Sequence, residues 1–241
     1  MDLILLDADL AWFNTRKIMK RTMIRQLYLI PALCMLFASS PLQSHAAPAS
    51  EPRSQGTIVA VGDSLTAGLG VNEEDAYPAQ LENKLRAAGY DWKVVNAGIS
   101  GETSSGTLSR INWVMKLRPD IVILETGAND GLRGIDPRLT RKNIDETIRI
   151  LKQQNVMVVL AGMMMVRNLG REFTQDFADI YPSLAKKHGL ILVPFFLQDV
   201  AGNPSLNQPD GIHPTAAGYR IITNTIYPFV RKAIDTNKKA K

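Results

Sequence analysis

From Thr57 onward the chain alternates short apolar runs with longer amphipathic ones, and this pattern leaves few folds open. Thr57–Val61, Lys93–Asn96, Ile121–Glu125, Val156–Ala161 and Leu190–Val193 are brief and mostly apolar, the strongest of them β-branched like strands buried on both faces. The stretches between them read as helices. Tyr77–Ala88 sets Leu81 and Leu85 one turn apart and stops at Gly89. Leu108–Leu117 ends at Arg118-Pro119, because the residue before a proline avoids the helical region. Pro137–Gln154 opens with Asp136 as N-cap and Pro137 at the first position. Glu172–Lys187 stops at His188-Gly189, and Pro214–Asp235 closes the chain. A strand that re-enters a sheet after a helical crossover runs parallel to the one before it. The expected fold is therefore α/β, a parallel sheet covered by helices on both faces. One domain over residues 57–236 accounts for the pattern, after a flexible lead-in at 47–56.

The first 46 residues do not fit this scheme. Lys20, Arg21 and Arg25 precede an apolar stretch, Leu27 to Ala38, and Ser44-His45-Ala46-Ala47 follows. A basic region, a short apolar region and a small-residue cleavage site form the layout of a secretory signal. The apolar run is too short to span a bilayer comfortably. Cleavage is expected after Ala46 or Ala47. An acidic stretch (Asp2, Asp7, Asp9) lies ahead of the basic one, so translation is expected to begin at Met19 or Met23. Cys34, the one cysteine, falls inside the apolar run, and the mature chain then has neither disulfide nor thiol nucleophile. That suits an oxidising compartment such as the periplasm or the exterior.

The formal net charge is +5, with no dense basic stripe of the nucleic-acid-binding kind. Residues 237–241, with Lys238, Lys239 and Lys241, read as a solvated tail with at most a weak attraction to a membrane surface. The expected partner is a small-molecule substrate, and the expected state a monomer.

Open parallel sheets bind ligands beyond the carboxyl ends of their strands. Four segments rich in glycine and short polar residues fall there or before the last helix: Val61-Gly62-Asp63-Ser64-Leu65, Asn96 to Thr103, Thr126 to Gly131, and Asp210-Gly211-Ile212-His213-Pro214. Of the three histidines, His45 lies in the signal region and His188 at a helix C-terminus, where the dipole favours it. His213 remains as a base. Asp210, three residues earlier in a glycine turn, can accept a hydrogen bond from the imidazole and fix its tautomer. Such a turn is also common on surfaces. Ser64, at a strand-to-helix turn, can present its hydroxyl where backbone N–H groups favour negative charge, although a serine there is also a common helix N-cap. The Gly-x-Ser-x-Gly elbow is absent. Acyl transfer also needs donors for an oxyanion. The candidates are the N–H groups of Ser64 and Gly101 and the side-chain amide of Asn129; locally, Gly101 is equally a plain loop glycine and Asn129 a left-handed turn residue.

Together these blocks resemble the SGNH (GDSL-type) hydrolase superfamily. Gly62-Asp63-Ser64-Leu65, Gly98 to Thr103, Gly127-Ala128-Asn129-Asp130 and Asp210 to Pro214 occur in that family's order across the chain. Gly127–Arg133 and Ile180-Tyr181-Pro182 are most similar to the bacterial periplasmic group of thioesterases, lysophospholipases and arylesterases. The resemblance implies a flavodoxin-like, three-layer α/β/α fold with five strands in the order 2-1-3-4-5. It implies Ser64 as nucleophile, Asp210 and His213 as its partners, and Ser64, Gly101 and Asn129 as oxyanion hole. It implies hydrolysis of acyl esters and thioesters with neither metal nor cofactor.

One segment departs from the family. Met163-Met164-Met165-Val166-Arg167-Asn168-Leu169-Gly170 stands where relatives carry a proline-bearing loop. Met164, Met165, Val166, Leu169 and Ile212 are the expected walls of a soft acyl pocket, unless the methionines are the core-facing end of a strand. Three other functions share some of these features. An O-deacetylase of carbohydrate would use the same groups. A flavodoxin-like binding protein has no evident need for the Asp210/His213 pair, and no nucleotide-binding glycine loop is present. A histidine-rich metal site is short of histidines.

Overall fold

The computed structural model describes residues 54–165 and 169–240. The signal region, Cys34, His45 and most of the lead-in lie outside the described residues. Five strands, β1 (Gly56–Gly62), β2 (Trp92–Gly98), β3 (Ile121–Glu125), β4 (Met157–Ala161) and β5 (Ile191–Val193), form one parallel sheet in the order β2-β1-β3-β4-β5. That is the order implied by the family resemblance. The helices are α1 (Ser64–Ala67), α2 (Tyr77–Ala87), α3 (Ser104–Val114), α4 (Ala128–Leu132), α5 (Pro137–Gln153), α6 (Arg171–Ala178), α7 (Ile180–His188) and α8 (Ala216–Ala240). α2 and α8 pack together on one face, and α3, α5 and α7 on the other.

The middle strand shows why its sequence is a continuous apolar run. Every residue from Ile121 to Glu125 is fully buried, because helices cover both faces. α5 shows the complementary pattern: Thr140, Ile144, Thr147, Ile148 and Leu151 face inward at helical spacing, and charged residues face water. Each fully buried aliphatic side chain stabilises the fold by about 1.5–3 kcal/mol. The Asp136 carboxylate caps α5 by accepting the Arg138 N–H at 2.8 Å, as expected.

Three helices differ from expectation. α3 begins at Ser104 rather than Leu108; the Thr103 hydroxyl accepts the Gly106 N–H, and the small residues of the first turn carry no apolar period. The single helix expected over 172–187 is two. Pro182 has no N–H to donate to the Ala178 carbonyl, and the chain breaks at Asp179. α8 starts at Ala216 rather than Pro214, because Pro214 is held extended in an antiparallel bridge with Asn207. It then runs through the expected tail to Ala240, with no glycine or proline beyond Pro228 to stop it. There Asn237 donates to the Asp120 carbonyl, and Lys238 lies over the Tyr90 ring at 5.2 Å.

Two glycines bring the carboxyl edges of β1 and β2 against α1. A Cβ on Gly98 would lie 2.2 Å from the Ala67 backbone nitrogen, and one on Gly62 would lie 2.4 Å from the Glu125 carboxyl. Only glycine permits this approach.

Candidate active site

β1 delivers the chain directly to Ser64. Asp63, not Ser64, is the N-cap of α1, and its Oδ1 accepts the Leu65 N–H at 2.9 Å. The Ser64 hydroxyl is therefore free of capping and points out of the first helical turn. The residue is 8% exposed. Its backbone N–H has no acceptor among the described residues, as befits the first position of a helix.

The turn before α8 carries His213, the candidate base. Asp210 Oδ1 accepts the backbone N–H groups of Ile212 and His213 at 2.9 and 3.0 Å. Its Oδ2 accepts Nδ1–H of His213 at 2.7 Å, which leaves Nε2 as an acceptor for the Ser64 hydroxyl at 2.9 Å. This tautomer is the one the hydrogen-bond network requires. Bonds from the His213 N–H and ring, and then from the Ile212 N–H, hold the Asp210 carboxyl at about 2. Gly211, with φ of 70°, closes the turn. Residues 149 positions apart thus form one chain, carboxylate to imidazole to hydroxyl.

Sequence reasoning missed the group that holds this turn in place. Gln208 donates its backbone N–H to the His213 carbonyl at 2.7 Å, and its side-chain amide donates to the Leu69 carbonyl, also at 2.7 Å, just past α1. A glutamine in a polar loop carries no local signal of such a role.

Asn129 lies inside α4, not in a left-handed turn; the positive φ falls on Gly127, at 105°. Its Nδ2 donates to Asp63 Oδ2 and to the Glu102 carbonyl, both at 3.1 Å. One amide therefore joins the serine block to the Gly101 block. The Gly101 N–H has no acceptor among the described residues, and its carbonyl accepts from Arg133 at 2.9 Å.

Buried polar groups brace these loops. Asp130 accepts the Ser104 N–H at 2.7 Å and the hydroxyls of Ser104 and Thr140. Glu102 pairs with Arg110, which also donates to the Ala97 and Gly62 carbonyls. Beneath Ser64 two carboxyl groups lie together, Asp63 and Glu125, and neither was assigned a role from the sequence. The sign that could have found them is a charged residue at the end of an apolar run.

The residues expected to wall a pocket divide. Met163 is core, while Met164 is half exposed. Met165 packs against Gly131, where a Cβ would meet its sulfur at 2.2 Å. Leu169 and Ile212 are exposed, and Val166 lies outside the described residues. Leu69, Ile99 and Leu132 are exposed as well, each in the segment that follows the carboxyl end of β1, β2 or β3. His188 ends α7 as expected, with Nε2 on Asp145 at 2.5 Å.

Comparison with known proteins bears on the family and the fold. The profile of the GDSL-like lipase/acylhydrolase family matches residues 60–221. An arylesterase of Vibrio mimicus is 36% identical over 193 residues, 80% of this chain and 90% of its own. Thioesterase 1/protease 1/lysophospholipase L1 of Escherichia coli K12 is 38% identical over 159 residues, 66% of this chain and 75% of its own. The crystal structure of a psychrotrophic esterase, EstA from Pseudoalteromonas sp., inhibited by monoethylphosphonate, superimposes with a TM-score of 0.71 at 30% identity, covering 75% of this chain and 99% of that one.

Proposed function

The chain belongs to the GDSL-like lipase/acylhydrolase family, and we propose that it cleaves acyl esters and thioesters through a covalent acyl-enzyme on Ser64. The observation that carries this reading is the unbroken hydrogen-bonded line from Asp210 through His213 to Ser64. The nucleophile, its base and the group that orients the base stand in the order that acyl transfer needs.

The steps follow from the contacts. His213 Nε2 takes the hydroxyl proton as Ser64 Oγ attacks the acyl carbon. The resulting imidazolium is stabilised by the Asp210 carboxylate on its far side. The carbonyl oxygen becomes an oxyanion and meets the N–H groups of Ser64 and Gly101 and the Asn129 amide. His213 passes the proton to the leaving alcohol or thiol. Water, activated by the same base, releases the acid and restores the serine hydroxyl. The exposed aliphatic side chains of Leu69, Ile99, Leu132, Met164 and Ile212 favour an apolar acyl group as substrate over a carbohydrate acetate. The arylesterase and thioesterase relatives are named for aryl esters and thioesters, not for sugar esters. Labelling by a fluorophosphonate probe tests the reading: the wild-type chain reacts and Ser64→Ala does not. Labelling that persists in the variant would assign another nucleophile.

We also propose that residues 1–46 direct export to the periplasm or beyond and leave the hydrolase domain at 57–236. N-terminal sequencing of the processed protein tests this: a start at Ala47 or Pro48 supports it, and an uncut chain contradicts it.

A further inference from the structure

Glu125 ends β3 with its side chain wholly buried. Its Oε2 accepts the Asp63 N–H at 3.2 Å and the Thr66 hydroxyl at 2.9 Å. Its Oε1 is buried too, and no donor among the described residues reaches it. The carboxyl group beside it is that of Asp63, 1% exposed, which accepts from Leu65 N–H on one oxygen and from Asn129 on the other. Phenols face Glu125 from three helices: Tyr77 of α2, Tyr181 of α7 and Tyr219 of α8. Tyr181 donates to the Thr126 carbonyl, and Tyr77 contacts the Thr66 hydroxyl. His213 faces Asp63. The nearby cation, Arg110 of α3, is paired with Glu102. Neither Asp63 nor Glu125 has an ion-pair partner among the described residues.

We propose that Asp63 and Glu125 hold one proton between them, carried on Glu125 Oε1 and donated to Asp63, and that this neutral acid positions Asp63 and Asn129 beside Ser64. The role assigned to it rests on the reading of Ser64 and Asn129 given above; the location of the proton does not. Two adjacent ionised carboxylates without a cation are costly in a dry site. A single proton on Oε1 removes one charge and gives the orphan oxygen a hydrogen bond. Burial and the Asp63 charge hold Glu125 well above the usual carboxylate range. Burial raises Asp63 as well, but the bonds from Leu65, Glu125 and Asn129 to its ionised form work against that rise, so Glu125 keeps the proton. Ionised Asp63 is then fixed by three donors. It holds one hydrogen of the Asn129 amide and adds negative charge on the side of His213.

The sign of the linkage makes this testable. Glu125 loses its proton in the unfolded chain near the ordinary carboxylate pKa, so folding at neutral pH must take the proton back. The contribution of Glu125 to stability is complete below that pKa and declines as pH rises toward the folded value. Glu125→Gln copies the neutral acid: its NH2 group donates to Asp63, its oxygen accepts from Asp63 N–H and Thr66, and it binds no proton on folding. The folding equilibrium constant of Glu125→Gln relative to wild type, from denaturant titrations, should rise about tenfold per pH unit between roughly pH 5 and 7. A ratio that does not change with pH overturns the proposal. Infrared spectra at neutral pH should show a protonated-carboxyl stretch in the wild type that shifts on carbon-13 labelling of glutamate and is missing in Glu125→Gln. A wild-type spectrum without that band overturns it as well. Both readings stand even if Ser64→Ala still labels, so failure here is distinct from failure of the proposed function. In turnover, Glu125→Gln should keep far more of kcat than Glu125→Leu at similar KM; equal losses would remove the positioning role.

Discussion

Gln208 donates its side-chain amide to the carbonyl of Leu69 at 2.7 Å, and so ties the turn that carries His213 to the loop that leaves Ser64. The same amide reaches the Pro214 carbonyl at 3.1 Å, and a Cβ on Gly70 would collide with it at 2.2 Å. The side chain is clamped between the two loops. Removing it leaves both halves of the Ser64–His213 pair in place but lets their separation vary. One hydrogen bond of this kind stabilises by about 0.5–1.5 kcal/mol. Gln208→Ala should therefore lower kcat on a short p-nitrophenyl ester by roughly two- to tenfold, with KM little altered. An unchanged kcat would show that the base is held by the Asp210 turn alone.

Asn129 is the proposed oxyanion donor whose loss should cost turnover without unfolding the chain. Asn129→Ala should reduce kcat on the same ester by about a hundredfold or more, as loss of an oxyanion donor does elsewhere. The circular dichroism spectrum should not change, because the helix that carries Asn129 is braced by Asp130 on Ser104 and Thr140. Wild-type turnover in a folded variant would remove Asn129 from the oxyanion hole.

Asp210 predicts a pH dependence of stability. Its folded-state value is lowered to about 2, first by the His213 backbone N–H and then by the imidazole, against an unfolded value near 3.9. A depressed carboxyl stabilises the fold above its unfolded pKa and ceases to do so as pH falls through its folded pKa. The gap in denaturation midpoint between wild type and Asp210→Asn should thus be constant above about pH 5 and close toward pH 2. A gap that widens on acidification would contradict the assigned hydrogen bonds.

The fold was legible because its signals are local. β3 reads as buried from Ile121-Val122-Ile123-Leu124 alone, and α5 from Asp136-Pro137 and the spacing of Ile144, Ile148 and Leu151. The division of 171–188 into two helices was missed because one proline can be absorbed in a first turn or can end a ladder, and tertiary packing decides which. His213 could be named because the chain has three histidines, and Ser64 and Asp210 because each lies in a glycine-bearing block that the family resemblance marks. Gln208, Asp63, Glu125 and Asp130 could not. What each does depends on a residue tens of positions away that a parallel sheet brings to the same edge, and no period or spacing within one segment records that.

The two hydrogens of the Asn129 amide are already committed in the resting protein, one to Asp63 and one to the Glu102 carbonyl. Anything that recruits this amide must compete with a neutral peptide oxygen. An ester carbonyl, no better an acceptor, gains little by the exchange, whereas an oxygen bearing full negative charge gains a great deal. The third donor of the proposed oxyanion hole therefore favours the tetrahedral species over the bound substrate, and its contribution appears in turnover rather than in ground-state affinity.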